Sequence, residues 1–143
     1  MTARPHTLSD SMALGANLLT MLRDDPGVQA VLGHPARLFD GEASTGYLPY
    51  VVMERHEVTP LERSEVATEE HIVTLASRSC FDGIREAKSI LNALSEAVNR
   101  LGSHLGDIQI VLAHVSYCDA MRTADQRAFR GLIRIRMIVE VAE

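Results

Sequence analysis

Tyr47-Leu48-Pro49-Tyr50-Val51-Val52-Met53-Glu54 is the stretch on which the reading of this chain turns. Its β-branched and aromatic residues favour a strand, and Pro49 falls at the start, where a missing backbone donor does least harm. The strand is predicted to continue to about His56, and a return strand with Ile72-Val73-Thr74-Leu75 to run from about His71 to Ser77. Roughly 14 residues separate the two, with Pro60 among them and no Asn-Gly or Asp-Gly pair. Tight hairpins close in about two to five residues, so this connection is either two long projecting strands or a long polar loop. A helix follows, with Ile84, Ala87, Leu91, Leu94, Val98 and Leu101 at helical spacing, opposite a polar face of Arg85, Glu86, Lys88, Asn92, Glu96 and Arg100. That pattern belongs to a helix lying on a sheet. Ser79 and Asp82 have the spacing of a capping box at its start, and Gly102 closes it.

Outward from this block the pattern stays simple. Met1 to His6 reads as a flexible tail. Thr7 or Ser9 can cap a first helix whose apolar stripe is Leu8, Met12, Leu18, Leu19 and Leu22. Asp24-Asp25-Pro26-Gly27 ends it, Val28 to Leu32 forms one more helical turn, and Arg37-Leu38-Phe39 forms a short strand. Beyond the central helix, Ile108 to Cys118 reads as a strand, Asp119 to Gln126 as a polar loop, and Phe129 to Val141 as the last strand. There Ile133, Ile135, Met137, Val139 and Val141 alternate with Arg130, Arg134, Arg136 and Glu140, as in a sheet covered on one side. The expected fold is a single α+β domain over residues 1–143. It has a mostly antiparallel sheet, an N-terminal helix and a second amphipathic helix packed on it, and a projecting hairpin or long loop.

Composition narrows the function. Hydrophobic residues make up 46% and charged residues 23%, ordinary values for a globular domain. The formal charge of −5 disfavours a general nucleic-acid binder, which carries a basic face. From Glu54 to Glu70 six acids stand against Arg55 and Arg63, so the charge is concentrated in the central reach. Thirteen arginines and one lysine, Lys88, match a GC-rich coding bias as well as an interface preference. Cys80 and Cys118 are expected to stay reduced in a cytosolic product. No segment approaches the roughly 18 apolar residues of a membrane span.

The residues offer no constellation suited to catalysis. His56-Glu57 begins like a zincin motif, but Pro60 stands where the second histidine belongs. His114 and Cys118, read as sharing one strand face, would lie about 13 Å apart at roughly 3.3 Å per residue, too far for one ion. Gly41-Glu42-Ala43-Ser44-Thr45-Gly46 misses the nucleophile-elbow spacing by one residue. Cys80 precedes the central helix and reads as a buried structural thiol. With 4% aromatic residues and no Trp there is no stacking platform for single strands. The expectation is no enzyme, no cofactor and no metal. The residual alternatives are a small α+β enzyme or ligand-binding domain using His114, Tyr117 and Cys118 in a cleft, and a partner-binding adaptor.

Taken in order, these features resemble one family, the tail-terminator (tail completion, head–tail joining) proteins of long-tailed bacteriophages, prophages and gene transfer agents. The resemblance spans nearly the whole chain. It rests on the first helix running into Asp24-Asp25-Pro26, on Arg37-Leu38-Phe39-Asp40, on Leu48-Pro49-Tyr50-Val51-Val52, on Glu86-Ala87-Lys88 and on the closing strand after an Asp/Arg-rich loop. Two tips depart from the pattern: Pro60-Leu61-Glu62-Arg63 replaces a Gly- or Asp-bearing turn, and Thr123-Ala124-Asp125-Gln126 replaces an Asp-Gly turn. The resemblance implies a virion protein that assembles in the bacterial cytoplasm into a homo-oligomeric, commonly hexameric, ring at the head-proximal end of the tail. Its implied partners are the tail tube protein and the head connector or stopper, with DNA passing through unbound and no membrane involved. The charged reach and the arginine-rich last strands supply the expected subunit or partner contacts: Glu57, Leu61, Glu62, Arg63, Glu65, Glu69, Arg122, Asp125, Arg127, Arg134 and Arg136. For the arginine stripe of the last strand, a salt-bridged exposed sheet face or a subunit contact is expected in preference to a phosphate-binding face.

Overall fold

The computed structural model of the protein describes residues 8–41, 47–61, 67–80 and 83–140, with residues 8–12 given by their backbone alone. Helix α1 (Leu8–Asp24) is followed at once by α2 (Pro26–Leu32). Asp25 caps α2 by accepting from the Val28 N–H at 3.1 Å, and Pro26 takes the first helical position, where no backbone donor is needed. Short β1 (Leu38–Phe39) leads to the hairpin of β2 (Tyr50–Leu61) and β3 (Thr68–Ser79). Then come α3 (Ile84–Asn99), short β4 (His104–Leu105), β5 (Ile108–Arg122) and β6 (Phe129–Glu140). The strands form one sheet in the order β1-β2-β3-β6-β5-β4, antiparallel except where β1 runs parallel to β2.

The core follows from register. Residues paired across a sheet share a face, and β3 pairs with β6 along its entire length, from Thr68↔Glu140 to Ser79↔Phe129. One row therefore contains Val73, Leu75, Ile133, Ile135, Met137 and Val139, all buried. Ile90, Leu91, Leu94 and Val98 of α3 and Leu14, Leu18 and Leu22 of α1 complete the same cluster. The amphipathic stripes seen in sequence thus meet on one side of the sheet.

The strands outrun their sequence reading. The central reach is mostly strand: β2 extends to Leu61 and β3 begins at Thr68, so the hairpin consists of two 12-residue arms. Its arms are not free of the body, because β3 lies against β6 up to Glu140. Likewise β5 reaches Arg122, four residues into the stretch expected as polar loop. The reason is the same in both places: polar residues on an uncovered sheet face do not interrupt a strand. At the start of α3, Gly83 at φ 57° is the N-cap and makes no side-chain cap bond, while Ser79 is the last residue of β3. The Ser79–Asp82 capping box is thereby corrected. Met1 to His6, residues 42–46 and Val141 lie outside the described residues.

A polar chain runs under α1 inside this apolar side. Glu69 and His71 face inward with Val73, and both are buried. His71 Nε2 donates to Glu69 Oε1 at 3.0 Å, and its Nδ1 shares a hydrogen bond with His56 Nε2 at 2.8 Å. The His56 ring lies under Gly15 of α1, where a Cβ would come within 3.1 Å of its Nδ1. Desolvation, followed by the neighbouring His71, pushes His56 down to about 4 against the pull of Glu69.

Two outcomes follow from this packing. Gly131 donates its N–H to Ser77 Oγ at 3.0 Å, and a Cβ there would stand 2.5 Å from that oxygen and 3.2 Å from Leu91 Cδ2. Gly131→Ala should destabilise the fold by about 1–3 kcal/mol in denaturant unfolding, as overpacking does. An unchanged midpoint would show that Ser77 and Leu91 yield freely. Because His56 takes a proton less readily folded than unfolded, its contribution to stability is present above the ordinary histidine value of about 6.5. It is lost as pH falls from there through about 4. Thermal melts from pH 7.5 to 4 should therefore drop more steeply for the native protein than for His56→Gln, and parallel curves would refute the assignment.

Candidate assembly surface

The other side of the sheet carries no helix among the described residues, and the charges gather there. Arg130 Nη2 reaches Glu54 Oε1 at 2.5 Å, and Arg136 Nε reaches Glu70 Oε2 at 2.6 Å, each joining β6 to the hairpin. Arg134 stacks over the Tyr117 ring on this face at 4.8 Å, whereas Arg122 stacks over Phe129 at 4.8 Å on the helix-covered side, where Phe129 pairs with buried Ser79. The arginine stripe is thus a salt-bridged and stacked sheet face. An open trough of 580 Å³ crosses it between Arg55, Glu57, Thr74, Leu132 and Arg134.

The residues singled out in sequence fall at opposite ends of this sheet. Glu57 and Leu61 stand on the outer face of β2 near the hairpin tip, both half-buried. Glu62, Arg63 and Glu65 lie outside the described residues. Glu69 is near the same tip but turned inward to His71, so its carboxylate serves this chain's own interior. Arg122, Asp125 and Arg127 are exposed at the other end, around the turn from β5 to β6. There Asp125 accepts from Thr123 Oγ1 at 2.5 Å and from the Arg127 N–H at 3.1 Å, and these bonds hold its carboxyl below the ordinary carboxylate range. Gln126 takes φ 59°, the left-handed position that glycine occupies in an Asp-Gly turn. Arg134 and Arg136 lie between the two ends on β6.

One feature was missed in sequence. Beyond Ile108 and Gln109, which pair with β4, strand β5 forms an open edge of the sheet. It carries four large apolar side chains in the open: Val111 (58% exposed), Leu112 (42%), Tyr117 (43%) and Met121 (51%). The sequence shows only a mostly apolar strand, because register shifts between Ile110 and Leu112 and between Val115 and Tyr117 are invisible in it. The second shift also corrects the pairing of His114 with Cys118. His114 pairs with Arg136 on the outer face, whereas Cys118 pairs with Ile133 on the inner one. His114, Tyr117 and Cys118 therefore do not converge on one cleft, and burial pushes the Cys118 thiol up, away from reactivity. Cys80, expected to be buried, is exposed, and both thiols are free.

Among the described residues no three His, Cys, Asp or Glu side chains gather where a metal ion could sit. No helix among them is long and apolar enough to cross a membrane. The surface instead offers exposed apolar residues bordered by charge, which is the make-up of a contact between macromolecules.

Comparison with solved structures gives a chain of the virion of a native gene transfer agent particle, with a TM-score of 0.79 and 22% identity over 94% of this chain and 100% of that one. At that identity the likeness concerns the fold. Comparison with curated proteins gave no match. The family described as "Tail completion protein gp17" matches residues 16–140, from within α1 to the end of β6. The chain belongs to that family, and it is a structural protein of phage-type tails.

Proposed function

We propose that this protein forms a ring that terminates the tail tube and joins it to the head connector, leaving a central channel through which DNA passes without specific binding. The observation that carries this reading is the family match over residues 16–140, which spans every element from α1 to β6. The surface supports it: the open β5 edge and the uncovered sheet face present apolar and charged groups to a partner. Assembly takes place in the bacterial cytoplasm, and the finished ring sits at the head-proximal end of the tail. Its partners are copies of itself, the tube protein and the connector or stopper, and a hexamer is the expected ring.

Acids that face the channel would repel phosphates, so that DNA slides through instead of adhering. The hairpin tip is the part proposed to reach a neighbour. The tip between the Pro60↔Glu69 pair can be shortened without disturbing the buried Glu69–His71–His56 chain.

Replacing residues 61–68 with an Asn-Gly turn should leave a folded protein, judged by circular dichroism, that no longer forms rings in native mass measurement and electron imaging. Rings that form as well as those of the native chain would exclude the tip as a subunit contact.

A further inference from the structure

The sheet has two open edges, and they differ. Among the described residues β2 is open from Met53 to Leu61, since β1 covers only Val51 and Val52. Strand β5 is open from Val111 to Arg122, since β4 covers only Ile108 and Gln109. The β2 edge carries Glu54, Arg55, Glu57 and Pro60, the kinds of residue that keep a strand from pairing with another chain. The β5 edge has no lysine or proline, and no carboxylate or guanidinium before Asp119. Its exposed Val111, Leu112, Tyr117 and Met121 make it a template for an added strand.

The strand that fits this edge is β5 itself. Let a second β5 lie antiparallel to the first, with Ser116 opposite Tyr117. On the open face Leu112 then meets Met121 and His114 meets Asp119; on the inner face Ala113 meets Ala120 and Val115 meets Cys118. Apolar groups meet apolar groups, small meets small, and an imidazole meets a carboxylate, as favourable cross-strand pairs do. The match depends on the register shift between Val115 and Tyr117. In an uninterrupted strand Leu112 and Met121, an odd number of residues apart, would lie on opposite faces. The shift instead makes the two halves of β5 complementary about its middle, which is what a two-fold contact demands of one patch. Strand β4 stops short of this span and leaves it free.

We infer that two copies of this chain pair through β5 about a two-fold axis, joining their six-stranded sheets into one continuous antiparallel sheet. This goes beyond the ring reading and does not rest on it. An isologous contact closes on two copies and does not propagate around a ring. The pair is therefore the form in which the chain covers its open edge before copies gather into a ring, and it shields that edge from unlimited strand addition.

The register supplies the test. Opposed residues of two antiparallel strands have Cα atoms about 4.5–5.5 Å apart, within the span of a disulfide. Within one copy Leu112 and Met121 are about 30 Å apart at roughly 3.3 Å per residue. At a concentration too low for rings, and without tail tubes, the native chain should sediment at twice its 15.7 kDa. The double variant Leu112→Cys, Met121→Cys should cross-link into dimers under mild oxidation, while Leu112→Cys alone should stay at the background of the native thiols. His114→Asp and Asp119→Arg should each lose at least tenfold of the dimer, and an equal mixture should recover it, because both pairs are again complementary. Circular dichroism establishes the native fold of each variant, and recovery in the mixture excludes misfolding independently. A native chain that sediments as a monomer, a double variant that does not cross-link, or a mixture that stays monomeric overturns the inference. A monomer that nonetheless forms rings on tubes removes the pair and leaves the ring reading intact. Dimers that cross-link as expected but never cap a tube uphold the pair and remove the ring reading.

Discussion

The full-length pairing of β3 with β6 is the constraint on which the rest of the molecule depends. It joins a strand from the middle of the chain to the last one and fixes, in one register, which residues face the helices. Slipping β6 by a single residue against β3 would carry Ile133, Ile135 and Met137 to the open face and turn Arg130, Arg134 and Arg136 inward. The same register brings Glu70 to Arg136 and places Ser77 Oγ against the Gly131 N–H. Both faces of the sheet thus depend on one set of backbone pairs.

The Glu69–His71–His56 chain is a polar element that this register places among core residues on the inner side. Buried polar groups are costly unless each is bonded, and here the carboxylate orients one imidazole and that imidazole is bonded to the second. Gly15 of α1 closes over His56, so the helix, the hairpin and β6 meet at this point. The charged hairpin arm folds onto its own chain by directing one acid inward and pairing another across the sheet.

Much of this was legible in the sequence. The alternation from Phe129 to Glu140, the stripe of α3 and the Asp25-Pro26 junction each carry a short-range signal, and each element forms where that signal lies. What was not legible depends on long-range pairing. The extension of β2 to Leu61 and of β5 to Arg122 is decided by partner strands, since Glu57 or Asp119 alone would suit a loop equally well. The register shifts in β5 move His114 and Cys118 to opposite faces and leave Tyr117 and Met121 exposed, which strict alternation cannot anticipate. Of the surface singled out in sequence, the arginines appear as salt-bridged and stacked groups, and Glu69 belongs to the interior.

On the proposed reading the protein acts at the end of a tube, so tube growth is the most direct test of its action. Tube protein polymerised with and without this chain, and imaged by electron microscopy, gives both tube length and the state of each end. The account predicts that the chain halts elongation and that a ring of about the tube's width caps one end only. Tubes that lengthen equally in its presence, with bare ends, would contradict it.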